Sequence, residues 1–175
     1  MEIAEERFKG HEIALQKLIK VIDGTGKRPF SVVFNGVIKA MLADIGSHQY
    51  PMPVIAVSGC SCIGKSTFCR RMKKFGQELG LEIAHVETDN WILDRETRGR
   101  LGLSHGYNLC GYYVDRMSKD LDSLIIRGKE IEVHPYDNST GKLAIEPLII
   151  EPSNIILLDG SISMLDIFVK RYGLR

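Results

Sequence analysis

Gly59 is followed by Cys60, Ser61, Cys62 and Ile63, then by Gly64, Lys65, Ser66 and Thr67. Glycines at this spacing let a backbone close around an anion, so that successive N–H groups point inward. A lysine straight after the second glycine reaches the outer phosphates of a phosphate chain, and the next hydroxyl, Ser66, is a hard oxygen ligand for Mg2+. Two carboxylates extend this chemistry. Asp159 ends the apolar run Ile155–Leu158, and an acid at such a strand tip suits a second Mg2+ ligand. Asp89 follows a second apolar stretch, where it can orient and deprotonate an attacking hydroxyl. Trp91 is expected to wall the pocket for that acceptor, and Arg95 or Arg98 to hold a polar or anionic substrate. Each residue also has a simpler reading. Asp159 caps a turn with Gly160, Asp89 caps a helix with Trp91 in the core, and the arginines belong to a solvated face.

The elements that must position these residues follow from hydrophobic periodicity. Val54–Val57 reads as a strand entering the glycine loop, and Ser66 to about Leu79 as the helix leaving it, with Phe68, Met72 and Phe75 on its apolar face. That order aims the positive end of the helix at the same anion. Leu81–Val86 reads as a second strand, and Glu87 to Tyr113 as a connecting segment ending in a glycine-bearing loop. A helix is expected over Asp115–Arg127, with Met117, Leu121, Leu124 and Ile125 on one face. Ile131 and Val133 form a half-buried strand, Asp137–Gly141 a turn, and Leu148–Ile150 the second arm of a hairpin. Ile155–Asp159 suits a strand buried on both faces of a parallel sheet. Leu165–Val169 is expected as one more strand. Alternating strands and helices predict an α/β fold with a doubly wound parallel sheet flanked by helices. Ligands of such sheets lie beyond the carboxyl ends of the strands, where the loop, Asp89 and Asp159 all fall.

Upstream, residues 1–22 and the stretch from Pro29 to Ile45 carry apolar stripes broken by Gly24 and Gly26. They predict an N-terminal helical hairpin over residues 1–50, ahead of a core over 51–175. The default role of the stripe is to pack on that core, and the sharper alternative is a hairpin that docks a partner.

The bulk composition narrows the function. With 44% hydrophobic and 26% charged residues, the 175-residue chain matches an ordinary globular protein. A net charge of +1 gives no electrostatic case for nucleic acid or an anionic membrane as partner. No apolar run approaches the roughly 18 residues of a membrane helix, and the acidic start lacks the order of a signal peptide. A cytoplasmic location is therefore expected. The four cysteines show neither disulfide nor zinc spacing. Cys60 and Cys62 sit within the loop, beside a helix N-terminus and Lys65, conditions that favour a thiolate. Their simpler role is that of small fillers.

Four stretches together resemble the uridine kinase and phosphoribulokinase group of P-loop kinases. They are Ala56–Thr67, Thr88-Asp-Asn-Trp91, Gly128–Asp137 with its Pro135-Tyr-Asp, and Ile155–Gly160, in that order along the chain. The resemblance covers roughly residues 53–160. It implies the P-loop NTPase version of the doubly wound sheet and ATP-dependent phosphorylation of a small molecule's hydroxyl, with Mg2+. The first-choice acceptor is a nucleoside; pantothenate kinases share a similar layout. Gly59–Thr67 would bind ATP, Lys65 and Asp89 would carry catalysis, Ser66 and Asp159 would hold the metal, and Asp89, Trp91, Arg98 and Tyr136 would contact the acceptor. The sequence departs from the group at Asn138–Gly141, which holds no histidine, and at Asp159, where a glutamate is usual. The group's arginine-bearing lid is expected to fall beyond Arg175, which makes an ATP-binding module without catalysis the rival from another class. The expected partners are a nucleotide and a small-molecule acceptor, without nucleic acid or membrane, and with self-association into a homo-oligomer left open.

Overall fold

The computed structural model describes residues 52–60, 62–78, 80–103 and 108–172. The helical hairpin expected over residues 1–50 lies outside the described residues. The first strand, β1 (Val54–Val57), leads through the glycine loop into helix α1 (Lys65–Glu78). Strand β2 (Ile83–Glu87) follows and runs into a short 3-10 turn over Thr88–Trp91. Helix α2 (Arg95–Arg100) and helix α3 (Val114–Leu121) come next, and α3 continues as a wider π turn over Asp122–Ile126. Four short strands then form two antiparallel hairpins. Strand β3 (Ile131–Val133) pairs with β6 (Leu148–Ile150), and β4 (Tyr136–Asp137) pairs with β5 (Lys142–Leu143) inside them. Strand β7 (Ile155–Asp159) and helix α4 (Asp166–Tyr172) complete the described chain.

The central sheet has three parallel strands in the order β1-β7-β2. Strand β7 lies in the middle, which is why Ile155–Asp159 can be apolar almost throughout and buried at every position. Side chains alternate across a strand, and the alternation divides the core. Ala84 and Val86 of β2, with Ile156 and Leu158 of β7, join Met117 and Leu121 of α3 and Phe168 and Tyr172 of α4 in one cluster. The intervening Ile83 turns to α1, where Gly76 lies so close that a Cβ there would stand 2.5 Å from the Ile83 side chain. Helices therefore cover both faces of the parallel sheet, as the α/β pattern predicts.

Residues Leu165–Val169 do not form the expected strand. They enter helix α4, because Leu165, Phe168, Val169 and Tyr172 repeat at helical spacing and face the core. Asp166 in the first turn and Lys170 with Arg171 in the last complement the helix dipole. Helix α2 was not expected from periodicity. It is short and polar, and it starts on Asp94, whose side chain accepts hydrogen bonds from the Thr97 amide and hydroxyl, both at 2.7 Å.

Candidate active site

Three strand ends meet at one edge of the sheet. Val57 of β1 and Glu87 of β2 both pair with Asp159 of β7. The glycine loop, Asp89 and Asp159 are therefore neighbours, although up to a hundred residues separate them in sequence. Register holds this edge closed. The Gly160 amide donates to the Val57 carbonyl at 3.1 Å. Gly160 itself has φ +150°, and a Cβ on it would meet the Thr88 hydroxyl at 1.7 Å. Only glycine fits that crossing of β7 past the start of the 3-10 turn.

In the loop, Gly64 adopts φ +97° and its carbonyl accepts the Phe68 amide at 2.9 Å, which starts α1. The Lys65 ammonium curls back onto the Cys60 carbonyl at 2.9 Å. Cys60, Cys62, Ile63, Gly64 and Thr67 are exposed, while Lys65 and Ser66 are half-buried. Ser61 lies outside the described residues. The exposed thiols of Cys60 and Cys62 leave the loop backbone, rather than a packed core, as their surroundings.

Asp159 is 2% exposed. One ring nitrogen of His85, on the α1 face of β2, bonds to its Oδ2 at 3.0 Å. Burial alone would raise this carboxyl, but the His85 and Ser66 hydrogen bonds and the nearby charges of His85 and Lys65 outweigh it and hold the group below the usual aspartate range. Its Oδ1 is buried without a hydrogen-bond partner among the described residues. A carboxylate kept ionised, with one oxygen engaged and the other unpartnered beside a serine hydroxyl, fits a hard cation bound through oxygen. The Cys69 thiol lies within 4.8 Å of the same carboxylate and His85 atoms. Burial, with the charges of Asp159 and Glu87, pushes that thiol up to about 12, so it is neutral at ordinary pH and packs as a small apolar group. The oxygen pair Ser66 and Asp159 is thus the part of the cluster that suits Mg2+.

Across the edge, Asp89 is carried by the 3-10 turn after β2 and does not cap it. Burial is the main cause that raises its carboxyl above the ordinary range, and the Asp159 charge adds to it; Lys65, Tyr112 and Arg98 oppose the rise. The Tyr112 hydroxyl stands 3.5 Å from Asp89 Oδ1. Burial pushes that phenol up to about 12, so it remains a donor. Tyr112 is delivered by backbone pairing between the segments around Ile92 and Tyr112, where the Leu93 amide donates to Gly111 and the Tyr113 amide to Trp91.

Arg95 and Arg98 project from α2 three residues apart into the same cleft. Arg98 donates to the Tyr136 hydroxyl at 2.6 Å and lies 5.5 Å from the centre of its ring. Arg95 donates to the Asn138 carbonyl at 2.5 Å, and its own amide bonds to the Gly141 carbonyl at 2.8 Å. These contacts seat the β4–β5 hairpin against α2. The cleft so enclosed measures about 630 Å³ and is lined by Gly64–Thr67, Asp89, Arg98, Tyr136 and Asp159 among others.

The structure thus brings together Lys65, Ser66, Asp89, Arg98, Tyr136 and Asp159. It does not bring Trp91 to the cleft wall. Trp91 is 2% exposed, belongs to the apolar core, and donates its indole N–H to Asp120 at 2.8 Å. Its bulk is better satisfied there than beside a polar cleft. Tyr112 takes the wall position instead. Neither Tyr112 nor His85 carried a motif signal, because each depends on pairing between segments distant in sequence.

No protein-family profile matches the sequence. Solved structures do. A candidate fructose transport system kinase from Silicibacter sp. TM1040 superposes with a TM-score of 0.60 at 15% identity, over 79% of this chain and 65% of that one. The fold is that of the P-loop kinases. A D-glycerate 3-kinase from Cryptococcus neoformans var. grubii gives 0.59 at 14% identity, over 79% of this chain and 54% of the other. A candidate uridine kinase from Bacillus stearothermophilus gives 0.58 at 17%, over 69% and 66%. These P-loop kinases have the uridine kinase and phosphoribulokinase type of fold that the sequence resembles. The chain spans 54 to 66% of their length, and at such identities the likeness is one of fold. Among the described residues, no helix is long and apolar enough to cross a membrane.

Proposed function

We propose that the protein is an ATP-dependent small-molecule kinase that transfers the γ-phosphate to an acceptor hydroxyl. One observation carries this reading: the half-buried carboxylate of Asp89 shares one cleft with the glycine loop and with the buried strand-end carboxylate of Asp159. A carboxylate so placed is positioned to take the proton of an acceptor hydroxyl. In this reading the loop amides of Gly59–Thr67 and the Lys65 ammonium hold the phosphate chain. Ser66 and Asp159 hold Mg2+, which, when bound, neutralises charge on the phosphates. Asp89 accepts the acceptor's proton as its oxygen attacks, with Tyr112 fixing the carboxylate by a hydrogen bond. Arg98 and Tyr136 form the acceptor end. A nucleoside is the acceptor that the sequence resemblance suggests. Pantothenate, which the same resemblance leaves open, and D-glycerate, the substrate named for one structural neighbour, are the alternatives. The partners under this reading are a nucleotide and an acceptor, in the cytoplasm, with residues 51–175 as the working core.

The test is incubation of the full chain with Mg-ATP and this acceptor panel, scoring ADP release together with the phosphorylated product. Stoichiometric product with one acceptor is the expected result. Tight Mg-ATP binding with no product from any acceptor would instead mark a nucleotide-binding module.

A further inference from the structure

We infer that the acceptor end of the cleft is built for an anionic group, so that the substrate is a hydroxylated carboxylate or phosphate rather than a neutral nucleoside. The inference rests on the kinase reading for the position of the acceptor, but its evidence is separate. Arg95 and Arg98 both line the cleft, and neither forms an ion pair with a carboxylate among the described residues. Their hydrogen-bond partners are neutral oxygens, the Asn138 carbonyl and the Tyr136 hydroxyl. The Arg98 Nε is buried with no hydrogen-bond partner among the described residues. A guanidinium taken partly out of water with an N–H unanswered is costly unless an acceptor completes it. The fork of N–H donors matches the paired oxygens of a carboxylate or phosphate, and neutral hydroxyls engage it less well.

Both arginines are also held in place. A Cβ on Gly141 would stand 2.7 Å from Arg95, and one on Gly111 would stand 3.5 Å from Arg98, so backbone packs closely on each side chain. Their helix is capped by Asp94, and the β4–β5 hairpin docks on it. A solvated surface pair needs no such seating. Of the cleft's carboxylates, Glu87 and Asp159 end strands and Asp89 follows one; Asp89 is near enough to feel the Arg98 charge, yet neither guanidinium is ion-paired to any of the three.

Calorimetry on the full chain tests this with the loop filled by Mg-ADP. Two matched pairs serve as probes: hydroxypropionate against propanediol, and ribose phosphate against ribose. Within a pair a hydroxyl is retained, and the anionic group of one member is a neutral hydroxyl in the other. The expected result is that one anionic member binds at least about tenfold tighter than its neutral partner, the effect of a charge-assisted hydrogen bond. Arg98→Met should abolish that preference and leave ADP affinity within about twofold, which also shows that the variant folds. The exposed Arg95→Met provides a second, milder loss. Which pair responds tells a carboxylate from a phosphate. Equal binding within both pairs overturns the inference, as does an Arg98→Met variant that loses ADP affinity and keeps the anion preference. Turnover of neutral acceptors alone sinks the inference and leaves the kinase reading. Anion preference without any turnover does the reverse.

Discussion

In the proposed reaction Asp89 is the residue that takes the acceptor's proton. Its carboxyl is raised chiefly by burial and further by the Asp159 charge. A base must be deprotonated to accept a proton, so a raised carboxyl moves the acid limb of the pH–rate profile upward from the ordinary aspartate value of 3.8. The expected profile of kcat/KM rises through an apparent pKa above that value. Asp89→Asn should cost about 10² to 10⁴-fold in kcat, with ATP affinity nearly unchanged. Full turnover in that variant removes the base assignment. Gly160 makes a second prediction at this scale. A methyl there would collide with the Thr88 hydroxyl at φ +150°, so Gly160→Ala should destabilise the fold by roughly 2 to 4 kcal/mol in denaturant titrations. The loop, Asp89, Asp159 and Tyr136 could be placed from sequence because each sits in or just after a recognisable run. Trp91 could not be placed. Nothing local says whether an indole next to a cleft residue turns outward or, as here, inward to Asp120.

At the scale of elements, the parallel strands and the helix after the loop were legible, since their apolar periods are long and bounded by glycine. Helix α2 was hidden because its six residues carry no apolar period. Its one signal was the Asp94-x-x-Thr97 cap. Helix α4 was misread for a physical reason: Leu165, Ile167 and Val169 alternate like a strand, and only the continuation to Tyr172 reveals the helical repeat. Its docking is testable. Arg171 and the Tyr172 hydroxyl both donate to the Asp122 carboxylate in the π turn after α3. The Arg171 hydrogen bond is the main cause that holds Asp122 below the ordinary value of 3.8. A depressed carboxyl stabilises the fold above its unfolded pKa and loses that contribution as pH falls through the folded one. Because Arg171 is about half exposed and solvent screens the pair, Asp122→Asn should cost only about 1 kcal/mol at pH 7. The gap in Tm between wild type and variant should hold above about pH 5 and close below pH 4. A gap that stays constant into acid would show that the contact acts through shape alone.

For the whole molecule, the site exists only because the sheet order is β1-β7-β2. That order inserts the last strand between the first two and sets Asp159 against both Val57 and Glu87. The unfolded chain cannot reproduce this juxtaposition, since the contributing segments lie far apart in sequence. Ligand binding should therefore report on the global fold. At a hundredfold excess over Kd, a ligand specific for the folded state contributes about 2.7 kcal/mol, which for a domain of this size raises Tm by about 10 °C. ATP with Mg2+ should give that shift, and chelating the metal should reduce it, because Ser66 and Asp159, whose Oδ1 is buried without a hydrogen-bond partner among the described residues, are the residues that would hold the cation. In Asp159→Asn the shifts with and without Mg2+ should converge, while Lys65→Ala should weaken both. Equal shifts with and without Mg2+ in the wild type would remove Asp159 from the metal site, and would leave the strand-end carboxylate as a partner for His85 and Ser66.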